Sequence, residues 1–423
     1  MMLLCVLSSV GGCARQKESA SGRAVESSSP AEEPGGDVKS APVRDAEPPR
    51  QTALAPPVAE QRAPSSNAYT TIRVFYGTNR ARSGERQPAK FFGTESGPLS
   101  FGFCDVSLPP NHSPGELESP KLWKFEYRPN PEKHVVLMNV QPVSGPTFIT
   151  ELQRAVWDSI EWCGGKEIIG GEVFVFVHGF NNSFEDAARR TAQISQDLKF
   201  RGAPVMYSWP SQQRASLRGY QDDAEVIGWS EQHFLNFMAG VARESGARHV
   251  HVIAHSMGNR LVTETLRKLS YHFRSGQLPR LNQVVLTAPD IDADYFRTAI
   301  APRIVQTAER ITIYSSTRDL ALKASSVINQ TGKRRLGEGG KELSVFPDFP
   351  SIEVVDASTV DTALFSLNHA YHAESESVLN DIGRVLEGFS PGDRGLQSLL
   401  GTMAWKIRQL NQSIQQTGHT LIR

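Results

Sequence analysis

The period of the apolar residues changes along the chain, and each change marks an element. From Ala14 to Ala68 there is no Phe, Trp or Tyr, and Pro, Ser, Ala, Glu and Arg dominate. Such a stretch cannot bury enough apolar surface to offset its ordering entropy, so residues 14–68 are expected to be a disordered tether. Alternation begins at Tyr69 with Thr-Thr-Ile-Arg-Val-Phe-Tyr-Gly-Thr-Asn-Arg80, a strand and a turn. Strand-like runs follow at residues 99–108, 122–127 and 135–140, the last two joined by a hairpin at Pro129-Asn-Pro-Glu132. Helical spacing covers residues 147–162. Glu172-Val-Phe-Val-Phe-Val-His-Gly-Phe180 is then almost continuously apolar, as in a sheet covered on both faces.

Strands and helices alternate from there: helix 184–200, strand 204–208, helix 224–247, strand 249–255, helix 258–269, strands 283–287, 310–314 and 352–355, and helix 373–389. Repeated alternation predicts an α/β fold with a mainly parallel, doubly wound sheet, preceded by an antiparallel β portion. Ligands in such sheets bind beyond the carboxyl ends of the strands. Those positions carry His178-Gly-Phe-Asn-Asn182, Ser208-Trp-Pro-Ser211, Ser256, Asp290-Ile-Asp292, Asp319 and, after the last strand, Asn368-His-Ala-Tyr-His372.

The stretch His249-Val-His-Val-Ile-Ala-His-Ser-Met-Gly-Asn-Arg-Leu261 runs from an apolar strand straight into a helix. A serine on such a corner holds its Oγ clear of the backbone, provided the residues two before and two after it are small. Ala254 and Gly258 meet that need, Ala254 standing where Gly is usual. The other reading is an ordinary strand-to-helix turn whose serine caps the helix. Serine, acid and histidine occur in the chain order of an α/β-hydrolase triad.

Phe75-Tyr-Gly-Thr-Asn-Arg80, Val177-His-Gly-Phe-Asn-Asn-Ser183, Tyr207-Ser-Trp-Pro-Ser211, Ala254-His-Ser-Met-Gly-Asn-Arg260 and Ala288-Pro-Asp-Ile-Asp292 together resemble a bacterial α/β-hydrolase family of largely unassigned function in the esterase/lipase superfamily. The resemblance covers roughly residues 69–389 and implies the hydrolase fold and triad chemistry, but it supplies no substrate; the leading expectation is a serine hydrolase that cleaves a small acyl ester through an acyl-enzyme, with no cofactor. Ser256 is then the nucleophile and His369 the base. Asp319 orients the imidazole, with Asp290 and Asp292 in reserve. Asp319 also reads as an N-cap before Leu320-Ala-Leu-Lys323. The Met257 amide, the Phe180 amide and the Asn181 side chain are the candidate oxyanion donors. His255 adjoins the nucleophile but points elsewhere, and His372 lies one helical turn beyond the base.

Lys+Arg and Asp+Glu are both 45, a formal net charge of +0, so nothing points to nucleic acid. His249, His251 and His255 alternate along a strand, but no carboxylate or cysteine accompanies them at ligand spacing, and no metal is expected. The chain opens with an apolar run ending at Val10-Gly-Gly-Cys13, which is similar to a bacterial lipoprotein signal. That implies a lipid on Cys13, attachment to a membrane and a place in the cell envelope. The run is too short to span a bilayer. Cys104 and Cys163 could pair, or could be separate buried thiols. The expected layout is a signal at 1–13, a tether at 14–68, a hydrolase domain at 69–390 and an amphipathic helix within 391–423, where Leu396, Leu399, Leu400, Met403, Ile407, Leu410 and Ile414 recur at helical spacing. The same fold without catalysis, serving as an envelope binding protein, and acyl transfer or thioester or amide cleavage by the same residues are the competing functions.

Overall fold

The computed structural model describes residues 69–121, 123, 125–163, 166–319, 322, 333–340, 346–359, 372–399 and 404–407. The chain divides into two units, Met1–Ala63 and Pro64–Arg423, and all described residues belong to the second. Cys13 and residues 14–68, expected from the sequence to be a tether, lie outside them.

The domain opens with an antiparallel meander of β1 (Thr70–Arg82), β2 (Phe92–Leu108) and β3 (Val136–Val143). Helix α1 (Gly145–Asp158) follows, begun by Ser144, whose side chain accepts the Thr147 amide. The short strands β4 (Glu161–Cys163) and β5 (Lys166–Ile169) pair with each other in a separate two-stranded sheet. Then come β6 (Glu172–Val177), α2 (Phe184–Asp197), β7 (Gly202–Ser208), α3 (Leu217–Glu244), β8 (His249–His255), α4 (Gly258–Arg274) and β9 (Leu281–Thr287). Short helices α5 (Ala293–Tyr295) and α6 (Ala301–Ile304) lead to β10 (Ala308–Ser315), β11 (Ile352–Asp356), α7 (His372–Leu386), β12 (Gln397–Ser398) and β13 (Ala404–Lys406).

Among the described residues eleven strands make one sheet in the order β12-β13-β11-β10-β9-β8-β6-β7-β1-β2-β3, parallel from β1 to β13 through the centre. The continuous apolar run of β6 is explained by its place between β7 and β8: Val173, Val175 and Val177 meet α1, α3 and α4 on one face, and Phe174 and Phe176 meet α2 and α7 on the other. From β6 the chain goes outward to β7, then crosses back to β8 on the other side. The carboxyl ends of β6 and β8 therefore flank the point where strand order reverses, which is where such sheets hold ligands. No helix among the described residues is long and apolar enough to cross a membrane.

Three expectations are corrected. The described residues of 122–127 form no strand: Trp123, Phe125 and Tyr127 are exposed, and Phe125 has φ 60°, a left-handed conformation that ends an extended run. The helix expected to reach residue 162 stops at Asp158, and Trp162 lies in β4. The helix expected in 391–423 is not formed where the chain is described. Residues 397–398 and 404–406 are strands instead, and β13 adds to the edge of β11. Apolar residues three or four apart fit a helix, but hydrogen bonding to an open parallel edge is a tertiary opportunity that spacing does not report. Cys104 is a free, buried thiol on β2, and burial pushes it far above the usual thiol range.

Candidate active site

Ser256 follows the last residue of β8 and has φ 49°, a left-handed backbone that costs a non-glycine residue about 1–3 kcal/mol. Hydrogen bonds around it hold the corner. Its amide donates to the Thr287 carbonyl (3.0 Å), and its carbonyl accepts from the Asp290 amide (3.3 Å) and from Asn259 Nδ2 (2.9 Å). Asn259 Nδ2 also donates to the Thr287 carbonyl at 3.0 Å. The helix begins at once with Gly258, where a Cβ would lie 2.4 Å from the His178 carbonyl oxygen. Ala254 is fully buried, and its carbonyl accepts from Thr287 Oγ1 (2.9 Å), so the methyl in place of the usual glycine is accommodated.

The loop after β6 lies directly against this corner. A Cβ on Gly179 would stand 3.0 Å from Ser256 Cβ and 2.9 Å from His255 Nδ1. Asn181 takes φ 59°, and its amide points at Asp223 (3.4 Å). Among the described residues neither the Met257 nor the Phe180 amide has an acceptor. Asn182 Nδ2 donates to the Gly179 and Phe180 carbonyls (3.2 and 2.7 Å) and holds the loop from below.

Beneath the loop, motifs far apart in sequence close into one buried network. Arg80 donates to the Asn182 carbonyl (2.7 Å) and to Ser208 Oγ (2.9 Å), and Ser208 Oγ in turn meets His178 Nε2 at 3.2 Å. The Trp209 indole stacks on the His178 ring and donates to the His178 carbonyl (2.9 Å). Burial lowers the Arg80 guanidinium to about 9, and burial together with Arg80 pushes His178 down to about 3. His178 is thus a neutral supporting residue. Asp223, raised by burial, accepts from Ser211 Oγ (2.5 Å) and the Gln212 amide (2.6 Å). Reading the sequence missed Arg80 and Asp223 as supports, since only folding brings them under the loop.

The carboxylates separate clearly. Asp319 follows β10 at the same end of the sheet, two strands from β8, and its Oδ1 accepts the Leu322 amide at 2.9 Å as an N-cap does. Asp290 adjoins the corner but is held by Tyr220 Oη (2.5 Å), Arg260 (3.0 Å) and Arg335 (3.3 Å). Asp292 accepts the Tyr295 amide (2.8 Å) and starts α5. His255 is pushed down to about 3, by burial and then by Arg190, so its ring stays neutral. His369 lies outside the described residues, as does the side chain of His372, whose backbone begins α7. Trp209 and Phe296 are buried core rather than open pocket wall, while Tyr295 is exposed and donates to Glu264 (2.9 Å).

A parallel sheet covered on both faces, with a serine on a left-handed corner at its switch point and a glycine loop pressed against that serine, defines an α/β hydrolase. The chain belongs to the family described as alpha/beta hydrolase of unknown function (DUF900), whose model matches residues 166–386. The meander β1–β3, with Arg80, precedes the matched stretch. No curated protein matches the chain. Among solved structures it is similar to one described as a cell-surface hydrolase of Lactobacillus plantarum, at 11% identity over 52% of this chain and 92% of that one, with a TM-score of 0.32. The ydeN product of B. subtilis is 11% identical over 51% and 97%, TM-score 0.26. Carboxyl esterase 2 of the fungus Tuber melanosporum is 9% identical over 77% and 89%, TM-score 0.27. Sheet order and the family match carry the fold, and these likenesses add no substrate.

Proposed function

We propose that the protein is a serine hydrolase that cleaves a carboxylic ester through an acyl-enzyme. His369 takes the proton from Ser256 Oγ as the oxygen attacks the ester carbonyl. It then passes that proton to the departing alcohol and repeats the exchange with water in deacylation. Asp319 holds the imidazole and stabilises its charged form. Capping Leu322 does not exhaust it, since an ionised carboxylate offers about four acceptor positions. The Met257 and Phe180 amides and the Asn181 side chain receive the oxyanion. The observation that carries this reading is the left-handed Ser256 in contact with the Gly179 loop. A helix-capping serine would not need that conformation.

Labelling with a fluorophosphonate, followed by a panel of acyl esters of rising chain length, tests it. Wild type should label at Ser256 and release a burst of alcohol. Ser256→Ala, still folded, should do neither, with turnover down by several powers of ten, on the order of a million-fold. Near-normal turnover in Ser256→Ala sinks the reading, and a folded wild type that never labels favours a binding protein on this fold.

We also propose that Cys13 becomes a lipid-bearing N-terminus that holds the domain at a membrane of the cell envelope. The support is Val10-Gly-Gly-Cys13 followed by an aromatic-free stretch whose reach as a flexible coil is on the order of 40 Å. Mass spectrometry of the native N-terminus should find a diacylated or triacylated Cys13. An unmodified Met1 or Met2 there overturns it.

A further inference from the structure

The far end of β8 carries a second cluster of chemistry-bearing residues. His249 and His251 are two apart on a strand and so share one face. The sequence offers no carboxylate beside them, but the parallel pairing of β6 with β8 sets Glu172 directly opposite His249. Nδ1 of His249 lies 2.9 Å from Glu172 Oε1, and Nε2 of His251 lies 3.6 Å from Glu172 Oε2. One ligand atom from each of the three falls within 4.8 Å of the others.

We propose that Glu172, His249 and His251 bind a divalent transition-metal ion, zinc by the chemistry of the donors, at the amino-terminal ends of β6 and β8. Two imidazoles and one carboxylate are a donor set that zinc favours. Bonds of about 2.0–2.1 Å in a tetrahedron put donor atoms about 3.3 Å apart, so the present spacing needs only side-chain rotation to close. Glu172 and His249 are partly exposed and free to supply that rotation, whereas His251 is fixed.

His251 is the independent observation. Its ring is fully buried, and neither nitrogen has a hydrogen-bond partner among the described residues. The neighbouring carboxylate at 3.6 Å is beyond hydrogen-bond reach. A buried histidine whose nitrogens make no hydrogen bond, and whose Nε2 has a loose 3.6 Å contact to Glu172, has room for the tighter bond that a metal ion supplies. Gln283, on β9, repeats the pattern with a buried, orphaned Oε1. Glu172 and His249 also line a cleft of about 540 Å³, which leaves a fourth coordination position open to water or an anion. Arg248 reaches Glu172 at 3.4 Å, and the ion replaces that contact. The ion would fasten β6 to β8 at the ends opposite the Gly179 loop and Ser256, away from the ester chemistry.

Metal-free full chain titrated with Zn²⁺ by calorimetry tests the site. One ion per chain should bind, raise the melting temperature and, with Co²⁺ in its place, give the visible bands of a low-coordinate nitrogen and oxygen site. Glu172→Gln and His249→Ala alter only partly exposed groups, so both should stay folded while each weakens binding at least about tenfold. His251→Ala can fail to fold and is not needed. Absence of Zn²⁺ binding by the folded wild type, or binding unchanged in both variants, overturns the proposal. Ser256→Ala should bind zinc as wild type does, which keeps this outcome separate from the fate of the esterase reading.

Discussion

Three non-glycine residues in left-handed conformations, Asn181, Ser256 and Ala288, stand at the carboxyl ends of β6, β8 and β9. His178 and His255 lie beside this end of the sheet, and their protonation gives the residue-scale prediction. His178 and His255 are both pushed down to about 3, chiefly by burial, from about 6.5 in an unfolded chain. Between those values the unfolded chain binds more protons, so their contribution is complete above about pH 6.5 and is lost as pH falls toward 3. His112 works the other way: burial opposes its charge, but the hydrogen bonds its ring donates to Asp197 and Glu118 raise it to about 9. Its contribution is complete below about pH 6.5 and lost as pH rises toward 9. Urea midpoints should therefore peak near neutrality and fall on both sides. His112→Asn should flatten the alkaline limb alone, and a wild-type profile with no acid limb below pH 6 would contradict the burial argument.

The loop after β6 and the corner after β8 approach so closely that glycine is needed at positions 179 and 258, and the two differ in what substitution costs. At Gly179 an added methyl faces His255 Nδ1 at 2.9 Å, Ser256 Cβ at 3.0 Å and the His255 carbonyl oxygen at 3.2 Å, contacts milder than those at Gly258 but relieved only if the loop shifts by a few tenths of an ångström. Gly179→Ala should therefore keep the fold while misplacing the Phe180 amide, lowering kcat roughly ten- to a hundredfold with KM little changed. At Gly258 the obstacle is the His178 carbonyl at 2.4 Å, so Gly258→Ala should lower both stability and activity. Ester kinetics beside urea midpoints on the two variants check the contrast. Equal loss of stability in both would show that the loop is held more rigidly than its contacts suggest.

Across the whole molecule, α7 is the element to follow, because it comes directly after the segment carrying His369, the proposed base. A buried charged cluster fastens it. Arg394 donates to Glu353 (2.6 Å) and lies 3.1 Å from Asp381 on α7, while Thr312 and Tyr314 of β10 donate to Glu353 and Asp381. Burial raises Asp381, and Arg394 opposes that rise. Arg394→Met leaves two carboxylates buried without their cation and should cost about 3–5 kcal/mol in urea denaturation. A loss under about 1 kcal/mol would mean that water reaches the cluster.

The sequence alone determined the alternation of strands and helices, the parallel sheet, the serine corner and the glycine loop. Each of these is written in local spacing: continuous apolar runs for strands covered on both faces, small residues where backbones touch, and chemistry just after each strand. Only the tertiary structure decided what depends on pairing between distant segments. It set Arg80 beneath the Gly179 loop, committed Asp290 to Arg260 and Arg335, and turned residues 404–406 into a strand paired with β11. It also placed Glu172 beside His249 and His251, a carboxylate 77 residues away from the first of them. Sequence spacing reports which face a side chain takes on its own element, whereas register between strands, fixed by the packing of the whole sheet, decides which faces meet.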